Sequence, residues 1–240
     1  MKVAVITGGT KGIGKQIAID LLNRNFFVYT NYANDDLSAK EAEKNFKCIS
    51  NNFRIIKADQ TSKTSFQSFI QQIKDNETEI NCIVANSGAT IRKPSMQITD
   101  EEWENVMQIT VNTHFYLIRD LHSLIANDSR IIFIGSMMGI LPHSTSLAYG
   151  VSKAALHALA KNLVKEFENT GTTVNAIAPG FVETEWQKSK PKEIRQNIYK
   201  KTALGRFADV KEVSSAVMFC IDNSFVNGSI IETSGGYCYK

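Results

Sequence analysis

The chain has 240 residues, with 27 basic and 24 acidic side chains and a formal net charge of +3. Hydrophobic residues make up 43% and charged residues 21%, ordinary globular usage that excludes intrinsic disorder, collagen-like repeats and low-complexity architecture. One large domain, 1–240, can then bury a core that needs no staples, and so slight a basic excess gives no electrostatic reason to expect nucleic acid.

Short apolar runs alternate with longer amphipathic stretches. Val3–Ile6 reads as a buried strand, and Ile13, Ile17, Ala18, Leu21 and Leu22 follow at helical spacing. Phe26–Thr30 is a second strand; Ala39, Ala42, Phe46 and Ile49 mark a second helix. Phe53–Lys57 is a third strand, with Phe66, Phe69, Ile70 and Ile73 on a third helix. Asn81–Ala85 is the fourth strand. A long helix, about 100–125, opens at Asp100-Glu101-Glu102, where acids suit the positive end of the helix dipole. Arg130–Ile134 is a strand, Leu156, Leu159, Leu163, Val164 and Phe167 share a helix, and Thr173–Ala178 is the sixth strand. Val210–Ile221 is a helix and Ser229–Glu232 a last strand. Continuous apolar strands alternating with helices predict an α/β fold, a Rossmann-like doubly wound parallel sheet of about seven strands with helices on both faces. The stretch of about 181–204 lacks apolar periodicity, and a segment that long is expected to be a functional lid.

The four cysteines, Cys48, Cys82, Cys220 and Cys238, form no C-x-x-C pair and read as reduced thiols of a cytoplasmic protein. The histidines, His114, His122, His143 and His157, lack zinc-ligand spacing, so no metal is expected. The first apolar run stops after four residues, short of the roughly 7–15 of a signal peptide. Nothing approaches the roughly 18 apolar residues of a membrane span. A soluble, cytoplasmic protein is the expectation.

After the first strand comes Thr7-Gly8-Gly9-Thr10-Lys11-Gly12-Ile13-Gly14, and then a helix. Glycines there let the backbone turn and approach a pyrophosphate at a helix N-terminus, where unpaired N–H groups and the dipole favour an anion. The spacing is G-x-x-x-G-x-G and resembles that of the short-chain dehydrogenase/reductase family. Further residues carry the resemblance along the whole chain: Asn86-Ser87-Gly88 after the fourth strand, Asn112 in the long helix, Ser136 ending the fifth strand, Tyr149-x-x-x-Lys153 thirteen residues later, and Pro179-Gly180 with Thr184 after the sixth.

Tyr149 and Lys153, four apart on a helix, share one face. A tyrosine has a pKa of about 10 and must fall by roughly 3 units to exchange protons near neutrality. A lysine cation about 4 Å away supplies about that much at an effective dielectric near 20. Tyr149 is then the general acid in reduction and base in oxidation, and Ser136 donates to the substrate oxygen. The resemblance further implies that Lys153 binds the nicotinamide ribose and that Asn112 supports a proton-relaying water. It implies a dinucleotide held by Gly8, Thr10, Lys11, Gly12, Ile13 and Gly14 of the first turn, Asn31 at the end of the second strand, and Asp59 and Gln60 after the third. Asn86 and Gly88 would follow, then Tyr149 and Lys153, and Pro179, Gly180, Val182 and Thr184, with Gln60 contributing only backbone groups.

NAD-using members of the fold carry an acid at the end of the second strand. Tyr32 stands there, and no acid occurs before Asp35-Asp36, where helix capping explains the pair. Lys11 matches a basic position of NADP-using members and could pair with a 2′-phosphate. NADP(H) is therefore expected ahead of NAD(H). The lid's Lys188, Lys190, Lys192, Arg195, Lys200 and Lys201 fit either an acidic carrier protein or a solvated helix face. Leu204-Gly205-Arg206-Phe207 and the closing Gly235-Gly236 resemble the branch that reduces 3-oxoacyl thioesters on an acyl carrier protein. Its carrier-gripping arginines are replaced near Asn127 and Thr170, with Lys161 and Lys165 as substitutes if they point outward. Met138, Leu141 and His143 occupy the stretch where the family lines its substrate pocket, His143 fitting an exposed loop equally well. The leading expectation is NADPH-dependent reduction of a 3-oxoacyl thioester. The alternatives are a sugar, polyol, steroid or other secondary alcohol, and a non-catalytic NADP(H)-binding sensor or scaffold. The resemblance also implies a homotetramer built on the two long helices. Leu156, Leu159 and Leu163 fit either that interface or the core.

Overall fold

Every residue of β1 (Val3–Ile6) is buried, because the strand has helices over both its faces. In the computed structural model, which describes residues 1–142 and 146–237, β1 lies inside a seven-stranded parallel sheet. The other strands are β2 (Phe27–Tyr32), β3 (Phe53–Lys57), β4 (Ile80–Ala85), β5 (Ile125–Ile134), β6 (Thr173–Pro179) and β7 (Ile230–Thr233). Their order is β3-β2-β1-β4-β5-β6-β7, and every pairing is parallel. This is the doubly wound α/β architecture the alternation predicts. His143 and Cys238 lie outside the described residues.

The period-two alternation of strand side chains divides the core in two. Val5, Ile83, Phe133 and Ala176 face one way, with Phe69, Leu117, Leu156 and Leu163. Ile6, Val84, Ile134 and Ile177 face the other, with Ile17, Leu21, Phe46 and Val217. The first layer comes from α3 (Lys63–Lys74), α5 (Thr113–Leu121) and α6 (Leu147–Leu163). The second comes from α1 (Gly12–Asn23), α2 (Asp36–Lys47) and α9 (Val210–Asp222). Leu156 and Leu163 are thus core residues, and Leu159 packs half-buried at the edge of the same cluster.

Three elements depart from expectation by more than a single residue at a boundary. β2 runs on to Tyr32 because its pairing with β3 continues to Tyr32↔Lys57. β5 starts at Ile125 because Ile80↔Ile125 pairs ahead of a register shift, beyond which Cys82↔Arg130 resumes the ladder. The helix expected over 100–125 is α4 (Asp100–Met107), a π-helical turn at Gln108–Asn112, and then α5. The stretch of 181–204, expected as a lid without periodicity, carries α7 (Glu185–Lys188) and α8 (Lys192–Lys201). α8 escaped notice because Ile198 is its one buried residue. No helix among the described residues is long and apolar enough to cross a membrane.

Where the chain switches from building outward on one side of β1 to building on the other, the loops after β1 and β4 diverge, and a crevice opens at the carboxyl ends of the strands. That crevice contains the site. As a test of the core assignment, Leu156→Ala should lower the unfolding free energy by about 2–5 kcal/mol in a denaturant titration.

Candidate active site

A cavity of about 500 Å³ occupies the crevice. At its floor is the turn from β1 into α1. Gly12 holds a φ of +56°, a left-handed conformation that a Cβ disfavours, and it faces the Thr184 side chain. Lys11, the N-cap of α1, makes no side-chain capping bond, so the helix's first-turn N–H groups are not capped by that residue and suit an anion. Gly8, Thr10, Lys11, Gly12 and Ile13 all line the cavity. Gly14, expected among the dinucleotide contacts, is not among the lining residues. A Cβ there would lie 2.5 Å from both Asn86 Nδ2 and the Gly8 carbonyl oxygen. Its small size serves packing between the turn and β4.

The turn is tied to β4 through one hydroxyl. Thr7 Oγ1 accepts from the backbone N–H groups of Asn86 (2.9 Å) and Ser87 (3.0 Å) and lies 3.0 Å from His114 Nε2. With both acceptor positions taken, the hydroxyl proton goes to the imidazole, which must be neutral to accept it. Burial accordingly pushes the His114 pKa down to about 3, with the Lys153 charge acting in the same direction. Asn86 donates to the carbonyls of Thr7 (2.9 Å) and Gly8 (3.2 Å). Thr7 and His114 were not singled out by sequence reasoning. They are 107 positions apart, and no local pattern connects them.

At one end of the cavity, Asn31, Tyr32, Asn34, Asp35, Asp59 and Gln60 line the wall. Asn31 accepts from Gly8 N (3.2 Å) and donates to the Ala58 carbonyl (2.8 Å). Gln60 Nε2 is committed to Thr113 Oγ1 at 2.8 Å, consistent with a backbone-only contribution. Asp35 caps α2 through Ser38 N, and it also takes the Lys11 ammonium at 3.1 Å. Bonds from the Ser38 N–H and hydroxyl, then from Lys11, hold its pKa down to about 2. Lys11, expected to await a 2′-phosphate, has a carboxylate partner here.

At the opposite end, Asn86, Gly88, Ser136, Tyr149, Lys153, Pro179, Gly180, Val182 and Thr184 share the cavity. α6 carries Tyr149 and Lys153, while Ser136 follows β5. The Ser136 hydroxyl acts to lower the pKa of the Tyr149 phenol, and its oxygen accepts from Met138 N at 3.1 Å. Ser136 N donates to His157 Nε2 at 3.4 Å. His157, one turn beyond Lys153 on α6, is a support the sequence reading passed over, although the i, i+4, i+8 register of Tyr149, Lys153 and His157 could have shown it. Its ring is kept neutral by burial and by the Lys153 and Lys161 charges, with a pKa of about 4.

The expected electrostatics of the pair need correction. Lys153 is 3% exposed, its Nζ donates to the Ile134 carbonyl at 2.6 Å, and it stands 5.7 Å from the centre of the Tyr149 ring. Burial drives its pKa down to about 7. Burial also raises the Tyr149 pKa, and what pulls it back is the Ser136 hydroxyl and the charge of Arg92, not Lys153. The physical reason is that both groups lose water together, and desolvation disfavours the charged form of each. Arg92 sits in the loop after β4, 57 residues from Tyr149, beyond the reach of any spacing argument.

Asn112 is not a lining residue. It ends the π-helical turn, its Nδ2 donating to Gln108 Oε1 at 3.2 Å. Thr110 in the same turn accepts from Ala89 N at 3.1 Å, tying the irregular turn to the loop after β4. Such π-turns recur at functional sites. The segment of 181–204 adds Glu185, Trp186 and Gln187, which the sequence reading did not assign to the site, all lining the cavity. The Trp186 ring meets the Tyr149 ring edge-on, with centroids 6.4 Å apart.

The short chain dehydrogenase family model matches residues 2–195. The 3-oxoacyl-acyl-carrier-protein reductase of Haemophilus influenzae is 30% identical, covering 98% of this chain and 97% of its own. The 2-dehydro-3-deoxy-D-gluconate 5-dehydrogenase of Pseudoalteromonas atlantica is 28% identical over 98% of this chain and 95% of its own. Among solved structures, the Pseudomonas aeruginosa RhlG/NADP active-site complex superimposes with a TM-score of 0.90 at 27% identity, covering 99% of this chain and 96% of that one.

The buried lysine makes a pH-dependent prediction. Unfolded, Lys153 keeps its proton up to about 10.5; folded, it releases it at about 7. Between those values the unfolded state binds more protons, so this group's contribution to stability rises with pH. Its penalty is full below about pH 7 and gone above about 10.5. Lys153→Met should therefore stabilise the fold by on the order of a few kcal/mol at pH 6.5. The gain should shrink steadily toward pH 10 in urea titrations run across that range.

Proposed function

Because the chain belongs to the short chain dehydrogenase family, and is therefore an oxidoreductase acting on CH–OH and C=O groups, we propose that it reduces a ketone to a secondary alcohol with NADPH. The observation that carries this reading is that Ser136, Tyr149 and Lys153 line one cavity together with the glycine turn at the N-terminus of α1. The residues fit a dinucleotide: the glycine turn and first-turn N–H groups of α1 for the pyrophosphate, Asp59 for the adenine, Lys153 for the nicotinamide ribose, and Val182 and Thr184 for the carboxamide. When bound, the nicotinamide supplies the hydride.

The chain's own residues handle the proton. Burial raises the Tyr149 pKa, so the phenol holds its proton at neutral pH and is loaded to act as an acid, the form that reduction requires. Ser136 presents a hydroxyl to the oxygen on which charge develops. Lys153 and His157 fix the placement of these groups from one face of α6. Asn112, at the end of the π-turn, is the residue we assign to the proton-relaying water. NADP(H) over NAD(H) rests on Lys11 in the glycine turn and on Tyr32 where NAD users carry an acid. The complex of RhlG with NADP is a precedent in the same fold.

For the substrate, a 3-oxoacyl thioester is the first reading, supported by the Haemophilus influenzae relative. Lys161 and Lys165 are both exposed and can meet an acidic carrier. Part of the lid's positive charge is internally balanced, Lys188 by Glu185 and Arg195 by Glu183. A sugar-derived ketone or polyol is the second reading, supported by the dehydrogenase relative from Pseudoalteromonas atlantica. We assign the protein to the cytoplasm, where exposed Cys48 remains reduced, and to a homotetramer.

NADPH with acetoacetyl-CoA should lose absorbance at 340 nm. Tyr149→Phe should cut kcat by about 10²–10⁴-fold while the NADPH Kd from fluorescence titration moves less than twofold. Inactivity on thioesters alongside turnover of sugar-derived ketones would transfer the assignment to the second reading. Lys11→Ala should weaken NADPH binding about tenfold and leave NADH binding nearly unchanged.

A further inference from the structure

The turn that follows Ser136, Met137–Gly139, packs against α6. A glycine stands on each side of this stretch, and neither Gly135 nor Gly139 has a positive φ, so backbone conformation does not require them. Space does. A Cβ on Gly135 would lie 2.1 Å from His157 Nε2 and 2.6 Å from its Cδ2. One on Gly139 would lie 2.7 Å from Ala154 N, 2.8 Å from the Lys153 carbonyl carbon and 3.0 Å from His157 Cε1. The imidazole thus occupies room that both glycines leave vacant around the serine. The ring is 5% exposed, and its Nε2 accepts from Ser136 N at 3.4 Å. Acceptance requires an unprotonated Nε2, the form favoured by burial and by the Lys153 and Lys161 charges. The same stretch is held from its other side. Gly135 N donates to the Ile177 carbonyl at 2.7 Å, and the Ser136 carbonyl accepts from Gly139 N at 2.9 Å.

We propose that His157 is a positioning residue for the reaction, its ring wedged between Gly135 and Gly139 so that Ser136 presents its hydroxyl to the reacting oxygen beside Tyr149. His157 is not among the residues lining the cavity, so it acts through Ser136 and not on the ligand. A reacting group displaced by about 1 Å can lose about 10²-fold in rate. The two glycines belong to the same arrangement, because a side chain at either would push the ring from its place. The proposal rests on the reading of Ser136 and Tyr149 as the pair that meets a ketone.

The test uses the intact protein and two sets of variants. His157→Gln keeps an acceptor, whereas His157→Leu keeps bulk without one. Gly135→Ala pushes a methyl into the ring, and the same change made together with His157→Ala gives that methyl room. The readouts are Tm, the NADPH Kd by fluorescence titration, and kcat and KM on the best ketone of a panel containing acetoacetyl-CoA and hydroxyacetone. His157→Leu should lose about 10–10²-fold in kcat while KM and the NADPH Kd move less than about twofold. Its Tm should fall by several degrees, because the Ser136 N–H is left unpaired. His157→Gln should keep kcat within about threefold. Gly135→Ala should lower kcat and Tm in the wild-type background, yet cost less than about twofold in kcat and nothing in Tm when added to His157→Ala. The proposal is overturned if His157→Leu keeps the wild-type kcat, or if the leucine and glutamine variants lose it equally. It is also overturned if the leucine variant's loss extends equally to KM and the NADPH Kd, the mark of a general packing role, or if Gly135→Ala costs the same with and without the ring. No turnover by the wild type on the whole panel with either coenzyme would instead overturn the catalytic reading beneath it, and the Tm values of the Gly135 and His157 variants would then report the ring-to-glycine contact by themselves.

Discussion

A single ammonium taken out of water organises this site. Lys153 sits at 3% exposure with its Nζ on the Ile134 carbonyl. Desolvating a cation costs several kcal/mol even after relaxation, so the fold must supply that cost from packing elsewhere. What it gains is position. Ile134 ends β5 and Ser136 follows two residues later. The lysine's bond joins the end of that strand to α6, while His157 takes Ser136 N from one turn further along the same helix. Gly135 N donates to the Ile177 carbonyl of β6 at 2.7 Å. Serine and tyrosine are thereby brought together by a helix face pressed on two strand ends, and their geometry does not depend on a mobile loop.

The same desolvation sets the resting charges. A phenol that keeps its proton and a lysine poised near neutrality leave the site with little net charge, which is the cheapest state for groups in a low dielectric. Tyr149 therefore keeps its proton at neutral pH. The Ser136 hydroxyl and the more distant Arg92 charge bring its pKa part of the way back toward its ordinary value. A second neutral hub, Thr7 with His114, does the equivalent work on the other side of the crevice. There one hydroxyl satisfies two backbone donors of the loop after β4 and passes its own proton to a ring that burial keeps uncharged. On both sides of the crevice buried polar groups are held by bonds within the protein, the Lys153 ammonium by the Ile134 carbonyl and the Thr7 hydroxyl by two backbone donors.

What the sequence showed was whatever is local or periodic. The runs of β1, β4 and β6 are apolar because both faces are covered. The glycine turn sits between a strand and a helix, and Tyr149 and Lys153 share a face at i, i+4. What it hid was tertiary choice. The four-residue spacing says that the ammonium and the phenol are neighbours, but it cannot say that the ammonium will prefer a carbonyl nineteen residues back. The turn at Gln108–Asn112 widens where Thr110 accepts from Ala89 N, and nothing in the sequence Gln-Ile-Thr-Val-Asn announces that partner. α8 is polar on nearly every side, so its periodicity was silent, and with it the anchoring of Trp186 and Gln187.

The Lys11–Asp35 pair shows how a charge pair can occupy a proposed coenzyme contact without closing it. Lys11 and Asp35 have side chains 51% and 41% exposed, and a pair so open to solvent contributes little net stability. Asp35 keeps bonds from both Ser38 N and Ser38 Oγ, so it remains satisfied when the ammonium turns away. A 2′-phosphate carries more charge than a carboxylate and more acceptor oxygens, so it competes for Lys11 on favourable terms. A 2′-hydroxyl offers the lysine nothing comparable, and the ion pair would stay as it is. On the coenzyme reading proposed above, the choice between NADP(H) and NAD(H) turns on whether a ligand can displace one aspartate that already has another role, capping α2.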